Sequence, residues 1–104
     1  MQPATPVEIR QTTVYAEWFA ALRDLRAKAR INARIRRLSL SNPGDIKSLG
    51  GGISELRIDY GPGYRIYLVQ HGTTLVLLLT GGDKSHQKAD ILRARELAAD
   101  WEPD

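Results

Sequence analysis

The run Glu55-Leu-Arg-Ile-Asp-Tyr-Gly-Pro-Gly-Tyr-Arg-Ile-Tyr-Leu68 alternates apolar and polar residues on both sides of Gly61-Pro62-Gly63. Alternation of that period marks strands with one buried face, and the glycines and proline supply a turn between them. With those three residues as the loop, Tyr60 lies opposite Tyr64, Asp59 opposite Arg65 and Arg57 opposite Tyr67. One face then carries Leu56, Ile58, Ile66 and Leu68, and the other carries Glu55, Arg57, Asp59, Arg65 and Tyr67. A two-residue loop would bring Arg57 beside Ile66 and mix the faces, so the three-residue register is expected. It leaves a cationic, aromatic-bearing face that needs either a function or a cover.

A chain of 104 residues is long enough for one domain and one core, with the ordered part expected over about residues 7–100. It has no cysteine, which excludes disulfides and thiolate metal sites. The longest apolar run, Leu75 to Leu79, is too short to cross a bilayer, and no basic-then-apolar leader is visible. A cytosolic, soluble protein without a membrane partner is the expectation. The net charge of +3 hides a strong asymmetry. Residues 23–37 hold Arg23, Arg26, Lys28, Arg30, Arg34, Arg36 and Arg37 against Asp24 alone, while Glu96, Asp100, Glu102 and Asp104 close the chain. Such a basic segment attracts polyanions through its summed field. Nucleic acid fits that field, and so does an acidic protein.

Residues 7–11 alternate and read as a short strand. Thr13 can cap a helix through Trp18, Phe19 and Leu22, of which Trp18 and Phe19 read as packing residues. Residues 25–40 form the clearest helix, with Ala27, Ile31, Ile35 and Leu38 on one stripe and Arg26, Arg30, Arg34 and Arg37 on another face. A break near Asp24 separates the two helices. Asn42-Pro43-Gly44-Asp45 stops the second by turn chemistry. Ile46–Leu49, the hairpin and Leu75–Thr80 supply the remaining strands, the last apolar on both faces and so covered on two sides. Gly81-Gly82 is expected to end it, and Ser85 to cap a final helix. Strand, two helices, four strands and helix, joined by short loops, predict an α+β class with a mainly antiparallel sheet. The paired helices should cover its apolar face, and the last helix part of the polar face or the edge.

Arg57, Arg65, Lys47 and Lys84 should converge near one end of this sheet, with Tyr60, Tyr64, Tyr67, His86 and Gln87 close in chain order. Arginines can brace a phosphate's non-bridging oxygens, and preorganised cations stabilise a pentacoordinate transition state. A lysine, tyrosine or histidine can carry a proton. The plain alternative is that Arg57, Asp59 and Arg65 form a surface cross-strand charge network. The arginines of the basic helix have a solubility reading too. His71 reads as a turn residue, and His71 and His86 lack metal-site spacing. Gly81-Gly82-Asp83-Lys84 precedes a helix and offers a weak anion-binding motif.

The run Arg30-Ile-Asn-Ala-Arg-Ile-Arg-Arg-Leu38, the turn Asn42-Pro-Gly-Asp45, the hairpin and Leu77-Leu-Leu-Thr-Gly-Gly-Asp-Lys84 together resemble addiction-module killer proteins. These form a HigB-like branch of the RelE/ParE toxin superfamily. The resemblance spans roughly residues 7–100. It implies a type II toxin encoded beside a helix-turn-helix, HigA-like antitoxin, with operator DNA contacted through the complex. It further implies a ribosome-dependent endoribonuclease, an mRNA interferase that inhibits translation. Cleavage would be metal-independent and cofactor-free, with the substrate 2′-hydroxyl as nucleophile. By motif position Arg65 would contact the scissile phosphate, with Arg57, Lys47 and Lys84 as further basic residues. Arg26, Arg30, Arg34 and Arg37 would contact ribosomal RNA. The sequence departs from the pattern in having no tyrosine after Tyr67 and no Asp-Tyr-His cluster. Tyr64, His86 and Lys47 are therefore the candidates for proton transfer. Two alternatives stand beside this reading: a ParE-like inhibitor of DNA gyrase, and a degenerate toxin acting as a binding module.

Overall fold

The computed structural model describes residues 6–101; Glu102 and Asp104 lie outside the described residues. The chain runs β1 (Glu8–Gln11), α1 (Thr13–Ala21), α2 (Leu25–Ser39), β2 (Ile46–Gly50), β3 (Ile53–Ile58), β4 (Tyr64–His71), β5 (Leu75–Asp83), a 3₁₀ turn (Lys84–His86) and α3 (Gln87–Asp100). The strands form one sheet in the order β1-β5-β4-β3-β2. Strands β2 to β5 are antiparallel neighbours, and β1 joins β5 in parallel. The class is α+β, as the order of elements predicts.

Both helix starts follow from local hydrogen bonding. Thr12, one residue before the expected cap, accepts the Tyr15 amide at 3.0 Å and donates to the Leu79 carbonyl at 2.6 Å. Asp24 ends the break between helices by capping α2 through the amides of Arg26 and Ala27. The Ala27 amide, chiefly, holds its carboxyl below the ordinary carboxylate range. On α2, Ala27, Ile31 and Leu38 are buried and Ile35 packs at the margin of the same cluster. Burying a side chain such as Ile31 stabilises by about 1.5–3 kcal/mol.

The sheet separates two apolar layers. Leu56, Ile58, Ile66, Leu68, Val76 and Leu78 face α1 and α2, and Ile53, Tyr67, Val69, Leu77 and Leu79 meet Ala94 of α3. Strand β5 is thus covered on both sides, and α3 lies over the polar face of the hairpin. His71 is the last residue of β4, not a turn residue, and its ring lies 4.7 Å from that of Trp101.

The hairpin corrects the expected register by two residues. Arg57 lies opposite Arg65, Leu56 opposite Ile66 and Glu55 opposite Tyr67, so the loop spans 59–63. A shift of two returns every side chain to its own face, which is why the facial pattern survives. The loop is wide because Tyr60 is drawn off the sheet. Its hydroxyl donates to Asp24 at 3.1 Å, and the Arg30 guanidinium sits 4.7 Å over its ring. Tyr64 instead packs edge-on to Trp18, with ring centroids 6.4 Å apart.

Strand β5 also departs from expectation. It continues through Gly81-Gly82 to Asp83, and Asp83 caps the following turn in place of Ser85, accepting the Ser85 amide at 2.9 Å. Tyr67 pairs with Thr80 but Leu68 pairs with Leu78, so Leu79 is the extra residue of a β-bulge. The Thr12 hydroxyl satisfies its carbonyl. The bulge re-phases the strand, turning Gly81 toward Trp18 and Gly82 toward Asp90. These glycines permit close approach from both layers.

Candidate active site

Arg57 from β3 and Arg65 from β4 face one another across the ladder on the α3 side of the sheet. They line a cleft of about 400 Å³ with Asp45, Ile58, Asp59, Gly63, Tyr64 and Lys84. Like charges directly opposed in a sheet repel, so each guanidinium needs its own compensation. The two solutions differ. Arg57 donates from Nε and Nη2 to Asp45 Oδ1 at 3.2 and 3.0 Å, and Asp45 is 57% exposed. Arg65 Nε lies 3.0 Å from Glu55 Oε1, and Glu55 is 1% exposed.

The expected Arg57–Asp59–Arg65 network is thus replaced by two separate pairs. The Arg65–Glu55 contact is an ion pair without hydrogen-bond alignment, because the Nε–H has no acceptor along its axis. Glu55 Oε1 also receives Gln87 Nε2 at 2.8 Å and the Tyr67 hydroxyl at 3.4 Å. Burial, followed by the charge of Glu55, pushes the Tyr67 phenol well up, so it stays a donor.

Lys84 opens the 3₁₀ turn and is exposed at the rim. A Cβ at Gly63 would meet Arg65 Nη1 and Lys84 Cβ, each at 3.7 Å, so Gly63 fills the space between the two cations. Tyr64 borders the cleft, but its side chain belongs to the α1/α2 core. Lys47 is exposed on β2, opposite Glu55 in register, and does not line the cleft. His86 turns to Asp83 and Ser85, its Nδ1 3.2 Å from Asp83 Oδ1 and 3.0 Å from Ser85 Oγ. The structure therefore brings together Arg57, Arg65, Lys84 and the edge of Tyr64, and leaves Lys47 and His86 outside.

The arginines of α2 divide as well. Arg34 is half-buried and ties the 43–45 turn to β3, donating to the carbonyls of Arg57, Pro43 and Asp45. It is engaged in holding the site together. Arg26, Arg30 and Arg37 are exposed. A shallow hollow between Arg30, Ala33, Arg34 and Arg37 shares Ile58 and Asp59 with the main cleft, so the two surfaces are continuous.

Asp45 and Glu55 are the parts that reading for cations missed as counter-ions, while Gln87 and Asp59 were named but not with the contacts they make, Gln87 on Glu55 and Asp59 in the cleft lining. Glu55 did carry a signal: an acid on the same strand face as Tyr67, part of which a helix was expected to cover. Among the described residues no group of three or more His, Asp or Glu side chains is placed to hold a metal ion. No helix there is long and apolar enough to cross a membrane.

Fold and cleft define an α+β protein with two N-terminal helices, a five-stranded, mainly antiparallel sheet and a C-terminal helix, consistent with a RelE/ParE-like topology. The chain belongs to one family with a Haemophilus influenzae protein described as an uncharacterized protein. The two are 54% identical over 92 residues, covering 88% of this chain and 93% of that one. No family model matches the chain. No solved structure gives a significant match.

Proposed function

We propose that this chain is the toxin of a type II toxin–antitoxin module and cuts messenger RNA on the ribosome. The observation that carries the reading is the opposed pair Arg57 and Arg65 in a cleft rimmed by Lys84. Two forks and an ammonium around one hollow suit the non-bridging oxygens of a phosphodiester. The continuous surface toward Arg30 and Arg37 gives a longer strand further phosphates to meet. Ribosome and mRNA are then the target, a HigA-like helix-turn-helix antitoxin covers the basic surface, and the cytoplasm is the site of action.

In the reaction the 2′-oxygen bonds to phosphorus, the bond from phosphorus to the 5′-oxygen breaks, and a 2′,3′-cyclic phosphate remains. Arg65 and Arg57 hold the charge that grows on the non-bridging oxygens. Lys84 is placed at the rim to stabilise or protonate the departing 5′-oxygen. Asp59 lines the cleft and forms no ion pair among the described residues, so its carboxylate is available to accept the 2′ proton. Tyr64 is tied into the core, and His86 and Lys47 lie off the cleft.

Transcript ends mapped shortly after induction test the reading. Cuts confined to translated regions, in phase with codons, are expected. Growth arrest with intact transcripts and a DNA-damage response would transfer the target to gyrase, and no arrest at all would leave a binding module.

Asp45 occupies Arg57 where a phosphate would sit. Asp45→Asn is expected to strengthen binding of an uncleavable RNA strand by up to about fivefold at low salt, the worth of an exposed ion pair. The turn itself should hold, because Arg34 and the Arg57 amide bind the Asp45 carbonyl. Titration of both proteins with the same strand checks this, and unchanged affinity would remove Asp45 as a competitor.

A further inference from the structure

We propose that Glu55 is a positioning residue, its buried carboxylate fixing the Arg65 guanidinium in the cleft while Gln87 fixes Glu55 from α3. The inference deepens the nuclease reading and rests on it for the identity of the anion that Arg65 meets. Its geometry is independent of that reading. Three groups from two further elements converge on a single oxygen, Glu55 Oε1: Arg65 and Tyr67 of β4, and Gln87 at the first turn of α3. A carboxylate that is 1% exposed is costly to bury unless it is fully engaged. Burying such a pair contributes little stability over an apolar pair of the same volume, so stability is a poor reason for it.

The contrast with Arg57 shows what the pair accomplishes. Asp45 is exposed on a loop and is free to yield Arg57 to a stronger anion, whereas Glu55 is buried and bound by Gln87 of α3. The Glu55 charge lies 3.0 Å from Arg65 Nε, on the side away from the cleft lining at Gly63, and Nη1 lies 3.5 Å from the Gly63 carbonyl. A donor oriented before substrate arrives costs no reorganisation when charge develops. The site thus pairs one fixed arginine with one that exchanges partners. Gln87 makes the fixed one depend on the seating of α3, because its amide reaches Glu55 from that helix.

The test follows the motion of the Arg65 Nε–H by nitrogen-15 relaxation, with amide protection of β3 and β4 as the control for folding. In parallel, each protein is titrated with a short RNA strand carrying one 2′-deoxy position. The variants are Glu55→Gln and Gln87→Ala. In Glu55→Gln the Arg65 side chain is expected to become mobile, and strand affinity to fall about tenfold, with sheet protection intact. Gln87→Ala should move both readouts the same way, by about threefold in affinity. It decides alone if Glu55→Gln does not fold. An Arg65 side chain as ordered in the folded variants as in the native chain overturns the proposal. A native chain that binds no strand either free or on ribosomes, with Arg65 loosened in the variants, keeps the positioning role and removes the nuclease reading.

Discussion

Gly81→Ala is expected to cost more stability than any other single-methyl addition in the sheet. Gly81 sits opposite Ile66 on the face that α1 covers, and an added Cβ would enter the six-membered ring of Trp18. Its φ is not in the left-handed region, so the penalty is steric and not conformational. Elsewhere a compatible glycine-to-alanine change stabilises by about 0.4–1 kcal/mol through the unfolded chain. Here the ring has Tyr15 on one side and Tyr64 on another, with centroids 5.7 and 6.4 Å away, which restrict its retreat. Overpacking of this kind costs about 1–3 kcal/mol and occasionally more. Each kcal/mol lowers the melting temperature of a domain near this size by about 4–8 °C. Gly82→Ala is the internal control. Its Cβ would meet the Asp90 carboxylate, the end of a side chain that can rotate away, so a smaller loss is expected. Thermal unfolding of the two variants checks the order, and equal losses would show that the Trp18 contact is not what demands glycine.

The second large effect concerns Arg65. Replacing it with alanine is expected to abolish growth arrest, but the buried pair changes what that substitution reports. Removing Arg65 strands the Glu55 carboxylate, and breaking a buried pair from one side costs about 3–5 kcal/mol. Domains carry only about 5–15 kcal/mol in total, so the alanine variant would lose a large share of its stability along with activity. Arg65→Lys is the sharper probe. It keeps a positive charge beside Glu55 and loses the planar fork that braces two oxygens. Cleavage is expected to fall by about 10²–10³, the usual loss for one preorganised donor, while thermal unfolding moves little. Single-turnover cleavage and thermal unfolding on the same preparations separate the two effects.

Each pattern in the sequence constrains some features of the fold and leaves others open. Alternation along the hairpin assigns faces, and those assignments hold for Leu56, Ile58, Ile66 and Leu68. It constrains the register only to within two residues, because a shift of two leaves every face unchanged. The missing constraint was tertiary: Asp24 and Arg30 pull Tyr60 away from the sheet. Gly81-Gly82 misled for a related reason. Glycine in a strand signals either an end or a close neighbour, and only the packing of Trp18 and Asp90 distinguishes them.

The cations of the site were legible because arginines on one strand face invite a ligand. Their counter-ions were not, since Asp45 arrives from a turn and Glu55 is selected by the seating of α3. Arg34 was read for its charge, yet its role is set by three backbone carbonyls that no periodicity reports.

The most direct measurement combines purified chain, translating ribosomes and a defined message, with the native protein and Arg65→Lys compared at equal concentration. Codon-phased cuts ending in 2′,3′-cyclic phosphate, reduced by about 10²–10³ in the variant, are the predicted result. An intact message on ribosomes, at concentrations of native chain that stop growth, would contradict it.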